Sequence, residues 1–177
     1  MADSVLNSSP IMAWSECTIK VGKTGASDAM ATTMEQIGEV KEKSTTLEPS
    51  DGTSLKATKS GGQLIAQEDQ QGDIVLKTRI IEPSFALDTL FTGAVVTPAT
   101  ELVEEISTVK TTVVSDPFSV EVMPKNVGAK GIRVRKSHVK YKPGYSEEEG
   151  NYVDLEFTIL ECADGELYKR FTKKATA

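Results

Sequence analysis

The chain has 177 residues, of which 38% are apolar and 26% charged, with a formal net charge of -6; this fits one globular domain with its own core and is short for two. An acidic chain with pI near 5.0 argues against a dedicated nucleic-acid binder, which needs a basic surface. Aromatic residues are only 6%, so an aliphatic core is expected, and Val, Ile and Thr supply about a quarter of the chain, which favours pleated strands over helices.

Residues 1–13 read as an N-terminal arm, 14–172 as a single β domain and 173–177 as a C-terminal tail. Trp14, with Ile11 and Met12, is placed to anchor the arm on a partner or on the core. The start of the chain lacks a basic stretch followed by a sustained apolar run, and no 18-residue apolar segment occurs anywhere, so a soluble protein made in a cytoplasm is expected. In that setting the sequon at Asn7 carries no meaning. Cys17 and Cys162 are far apart without CxxC spacing, and both read as thiols rather than metal ligands or a disulfide.

Residues 16–21 alternate, with Cys17, Ile19 and Val21 on one face, and predict a first strand. A loop rich in Gly, Ser and Thr follows, with room for a short helical turn. Residues 37–47, a turn at 49–52, residues 54–58, Gly61-Gly62 and residues 63–67 predict two hairpins, one with a protruding tip. Residues 73–81 form the strongest strand of the first half, with Ile74, Leu76, Thr78 and Ile80 on one face. It runs into EPSFALDTLFTG, where Pro83 suits a first helical turn, Phe85, Leu87, Leu90 and Phe91 form an apolar stripe, and Gly93 suits the stop.

The second half returns to strands at residues 105–115 and 118–123, separated by Asp116-Pro117. A three-stranded meander is expected over 131–141, 152–161 and 166–172, its last turn carrying Asp164-Gly165. Met123 to Gly144 holds seven Lys or Arg and no acid. Within it Ile132 and Val134 share one parity and Val139 and Tyr141 the other, so the pattern slips by one residue near Lys136-Ser137, as a bulge or sheet crossing requires. With that slip Arg133, Arg135, His138, Lys140 and Lys142 all point outwards. The row is expected to meet acidic loops, on its own chain or on a neighbouring copy.

No constellation predicts catalysis. Val21-Gly22-Lys23-Thr24 contains GKT, but the earlier glycine of a phosphate loop would fall on Cys17. His138 is the only histidine and stands among cations. Carboxylates at Glu101, Glu104 and Glu105 and at Glu147, Glu148 and Glu149 lie in polar loops, where nothing desolvates one of a pair, and they lack the ligand pattern of a calcium loop. No enzyme, cofactor or metal site is expected.

The order of features over IGEVKEKSTTLEPSDGTSLKATKSGGQLIAQ (37–67), DIVLKTRIIEPSFALDTLFTG (73–93) and PKNVGAKGIRVRKSHVKYKPGYSEEEGNYVDLEFTIL (124–160) resembles the major tail proteins of tailed bacteriophages, the tail tube subunits. The resemblance implies a mainly β fold of two packed antiparallel sheets, a sandwich or half-barrel, with one short flanking α-helix. It further implies a structural virion protein, assembled in the host bacterial cytoplasm, that stacks as hexameric rings into a hollow tube. Its partners would be further copies of itself, the tape measure protein, tail terminator or tip proteins, and double-stranded DNA in transit. On this reading the hairpin from about Lys41 to Gly62 reaches the next ring or subunit through Lys43, Asp51, Lys56 and Lys59. Arg133, Arg135 and Lys140, with Glu147 and Glu148, would join copies by complementary charge. An acidic lining would let DNA slide, with Asp73 and residues 39–42 as candidate lumen groups. A soluble β-sandwich module binding carbohydrate or protein, and the tube subunit of a contractile injection system, are the competing expectations.

Overall fold

A computed structural model describes residues 16–100 and 104–175. Alternation builds most of it. On β1 (Cys17–Lys23) Ile19 and Val21 point inwards, and on β7 (Ile74–Ile81) the inward set is Ile74, Leu76, Thr78 and Ile80, as their two-residue period requires. The same rule places Val120 and Val122 of β10 (Phe118–Pro124) and Val153, Leu155 and Phe157 of β12 (Gly150–Ile159) in the core.

These strands form one antiparallel sheet that also includes β2 (Glu35–Gln36), β3 (Glu39–Val40) and the long β11 (Lys130–Ser146). Its order is β2-β1-β10-β11-β12-β7-β3. The two ends of that order are consecutive in the chain, so the sheet curls into a half-barrel until Ile37-Gly38 joins its edges. Ile37 donates its N–H to Ile19 O at 3.1 Å and buries its side chain, and Gly38 makes the corner at φ +105, where any side chain is strained. The two layers that the resemblance implies are thus facing walls of one curled sheet.

The helix α1 (Phe85–Thr92) plugs the half-barrel. Leu87 and Phe91 enter the core, and the Phe91 ring sits 4.9 Å from Phe118, 5.7 Å from Tyr141 and 6.4 Å from Phe157. Gly93 closes the helix in the left-handed conformation, with its N–H on Thr89 O. Pro83 lies just ahead of the helix rather than in its first turn, because Ser84 is the N-cap. The helical turn expected in the first loop is a single 3-10 turn, Ala26–Asp28. Cys162 is buried, and Cys17 is half-buried beside Thr45, with desolvation raising its pKa.

The parity slip in β11 is a β-bulge. Phe118 pairs with Ser137 but Val120 with Val134, so two steps on β10 oppose three on β11. The extra residue falls at Arg135–Lys136, just before the position expected. It frees backbone groups that the surroundings satisfy: Arg135 O accepts from Ser119 Oγ at 2.7 Å and Thr24 Oγ1 at 2.9 Å, and Lys136 O accepts from Leu160 N at 3.1 Å. Ser137 Oγ donates to Phe118 O at 2.7 Å, which accounts for two fully buried serines in an aliphatic core.

Four expectations give way to longer-range pairing. The strand over 37–47 is interrupted, because β3 and β4 (Thr46–Pro49) both line β7 while residues 41–45 loop out between them. Lys41 N and Ser44 Oγ hold that loop to Arg79 O. Only one of the two hairpins exists, β5 (Ser54–Thr58) with β6 (Leu64–Asp69), since β4 pairs with β7 across it. Residues 105–115 contribute only β9 (Ile106–Thr108), paired with β8 (Val95–Thr97), plus one bridge from Val113 to Lys140; a three-residue β8 offers no more ladder. The meander fails at its last step: β13 (Lys169–Thr172) returns to β11, because β12 covers only residues 137–146 of that strand and leaves residues 130–133 to be paired.

Phe91 meets three aromatic rings from three strands, so Phe91→Ala should cost about 3–5 kcal/mol. Urea unfolding at low protein concentration would show this as a lower midpoint with unchanged slope; an unchanged midpoint would mean that α1 does not hold the half-barrel together.

Candidate assembly surfaces

The most unusual feature is the arm formed by β5 and β6. Every residue from 48 to 71 is exposed, including Leu55 at 51%, Leu64 at 48% and Ile65 at 64%. The arm leaves the half-barrel through a tight neck, where Ser50 N donates to Asp73 O at 2.7 Å and Gln70 N to Thr53 O at 2.8 Å. Two glycines permit this approach: a Cβ on Gly52 would lie 1.4 Å from Gln70 O, and one on Gly72 2.3 Å from Ser50 O. Gly61 and Gly62 take positive φ at the tip, with Lys59 N bonded to Gln63 O.

Charge divides the arm along its length. Residues 55–66 contain Lys56 and Lys59 and no acid, whereas Asp51, Glu68, Asp69 and Asp73 lie towards the neck. Neither lysine has a partner among the described residues. Asp51 is exposed at the neck, and Lys43 crests the loop between β3 and β4 at φ +61, paired among the described residues with Glu42 at 3.4 Å. Both members of that pair are highly exposed, so it adds little. Trp14 and Glu101 lie outside the described residues.

The basic row of β11 meets acidic groups of its own chain. Arg133 pairs with Glu121 and stacks over Phe171 at 4.8 Å. Arg135 pairs with Asp164 and lies 3.3 Å from Glu166, and Lys136 reaches Asp28 at 3.0 Å. Asp28 also accepts from Ala163 N, and these contacts lower its pKa, the Lys136 hydrogen bond foremost. Lys142 and Lys140 share Glu156 at 2.6 and 3.8 Å. Next to the row, Glu149 of the expected acidic loop is engaged by Lys41 and by Arg79 at 2.6 Å, while Glu147 and Glu148 stay exposed with no partner among the described residues.

Arg79 is the hub that the sequence pattern passed over. It faces Asp154 directly in the ladder between β7 and β12 and grips it through two nitrogens at 2.6 and 2.8 Å, with its guanidinium 4.3 Å above the Tyr152 ring. The Asp154 hydrogen bond leads in raising its pKa. A second missed contact ties the helix to the strands: Tyr141 OH and Ser107 Oγ both donate to the Asp88 carboxylate, the latter at 2.8 Å, and burial raises the Tyr141 pKa.

Strand β7 sets the polarity of the molecule. The arm neck precedes its first residue and α1 follows its last, so the two leave opposite ends, about 25 Å apart for eight residues. The turn between β11 and β12 lies at the helix end, where Glu82 N bonds Asn151 O. That end collects carboxylates without partners among the described residues: Glu82, Glu104, Glu105, Glu147 and Glu148. One end therefore offers an arm whose distal part is basic and apolar, and the other an acidic surface. Neither a protein-family model nor a curated protein matches the chain.

The Lys41 hydrogen bond, with Arg79, holds the Glu149 carboxyl below its ordinary value of 4.5. A group depressed in the folded state contributes stability above its unfolded pKa and loses it as pH falls through the folded value. Wild type should therefore melt above Glu149→Gln at pH 7, and the gap should close as pH drops below about 4.5; a gap constant across that range would show that charge on Glu149 is not what stabilises.

Proposed function

We propose that the chain is a self-assembling structural subunit that stacks into a hollow tube, as the resemblance to phage tail tube proteins implies, with hexameric rings as the repeating unit and double-stranded DNA as the cargo. The observation that carries this reading is the arm. A two-stranded hairpin exposed along its whole length is marginal in water on its own, and this one holds three half-exposed aliphatic side chains whose covering would contribute about 1 kcal/mol each. Such an element gains its stability from a partner.

Polarity supports self-association in particular. Complementary surfaces at opposite ends of one molecule make a head-to-tail contact, which repeats without closing and so generates stacks. Contact with a tape measure protein inside the tube, and with terminator or tip proteins at its ends, belongs to the same proposal. Assembly in a host cytoplasm and residence in the virion tail go with it. The chain performs no catalysis in this role.

Negative-stain microscopy of concentrated protein should show tubes or six-fold rings. Replacing residues 51–72 by Asn-Gly, a two-residue turn that suits the β4–β7 hairpin this leaves, should give a folded monomer that forms neither. Trypsin should cut wild type at Lys56 and Lys59 rapidly as monomer and slowly once assembled. Normal tubes from the armless variant, or wild type that stays monomeric at every concentration, would overturn the reading.

A further inference from the structure

The groove between α1 and β8 is apolar and uncovered. Leu87 and Phe91 turn into the core, which leaves Phe85 and Leu90 on the flank of the helix, only partly buried. With Val96 they line a groove of about 500 Å³ rimmed by Thr89 and Glu105. Glu104 precedes Glu105 in the chain, and both glutamates are exposed with no partner among the described residues.

We propose that this groove is the seat for the arm of a second copy: the face that Leu64 shares with Lys56, opposite the face of Leu55, lies against it, Leu64 enters it, and Lys56 and Lys59 meet Glu104 and Glu105. The inference rests on the stacking reading and adds to it the surface that receives the arm. Three observations select this seat. The groove is apolar where the distal arm is apolar. Its rim is acidic where the arm is basic, and such complementarity fixes register and partner choice. It lies at the opposite end of β7 from the arm's own neck, so arm and groove meet between copies set end to end.

The nearest competitor is the open edge of β11 beyond Lys140, beside Tyr145, which is 80% exposed. A second copy could add a strand there only by pairing across Lys142 and Pro143. Proline donates nothing to a ladder, and edge lysine and proline are the usual guards against such pairing. The arm therefore docks through side chains in the groove rather than as an added strand.

Charge reversal in the full chain tests this. Lys56→Glu with Lys59→Glu, and separately Glu104→Lys with Glu105→Lys, should each cut the yield of sedimenting tubes at least tenfold while leaving the thermal melt of the monomer unchanged. All four changes together should restore yield to within about threefold of wild type. Glu147→Lys with Glu148→Lys serves as the comparison pair. If that pair, and not Glu104 and Glu105, rescues the arm variant, or if no pair does, the groove assignment falls although the tubes of wild type uphold stacking. Wild type that never sediments overturns both.

Discussion

One backbone irregularity makes the sequence compatible with the fold: the bulge at Arg135–Lys136. Strand β11 is the spine of the sheet, pairing with β10 and β13 along its first half and with β12 along its second. Without the extra residue, strict alternation would turn either Val134 or Val139 to solvent and bring a row of cations inwards. Burying even one unpaired cation would cost more than the loss of several apolar contacts. The bulge avoids this, and its own cost falls on freed backbone groups, which Ser119, Thr24 and Leu160 satisfy. A seemingly misplaced serine pair in the core, Ser119 and Ser137, is thus part of what lets seven cations sit in one stretch of an acidic chain.

The same logic of satisfaction separates the half-barrel from the arm. On the half-barrel, the central charges are matched within the chain, from the Arg79 grip on Asp154 to the Arg135 contact with Asp164. In the arm, matching stops. Among the described residues its main-chain groups pair within the hairpin and its lysines have no partner, and its apolar side chains face water. A close glycine neck and a rigid anchor on β7 nonetheless hold it at a defined place. A fixed but unmatched element is what an interface donor requires, because pre-organisation reduces the ordering cost at docking.

Much of this was legible in the sequence where the controlling interaction is local. Two-residue alternation identifies β1, β7, β10 and β12, a helical stripe ending at Gly93 identifies α1, and the parity change around Ser137 identifies the bulge to within a residue. What the sequence conceals is long-range. Nothing in residues 166–172 says that β13 skips its neighbour β12 for the vacant edge of β11, and nothing in residues 46–49 says that β4 pairs with β7 across a 24-residue excursion from Ser50 to Asp73. The charged row shows the limit most clearly. Its outward direction follows from parity, but its partners, Glu121, Asp164 and Glu156, come from three different elements, so only the fold reveals that the row is spent within the chain.

That redistribution changes how the net charge should be understood. Across the outer face of β7, β12 and β11, Lys77 and Arg79, then Asp154 and Glu156, then Lys140 and Lys142 alternate in sign from strand to strand, and neighbouring charges neutralise one another at contact distance. Acids without a partner among the described residues are found elsewhere, among them Asp51, Glu68 and Asp73 towards the arm neck, and Glu82, Glu104, Glu105, Glu147 and Glu148 at the helix end, where Glu39 also pairs with Ile81. On the tube reading, then, a uniformly acidic wall is not needed for DNA to slide, because a wall of paired charges offers phosphate no free lysine to hold. On the same reading, the acids of the helix end would act through their complement, the two lysines of the arm.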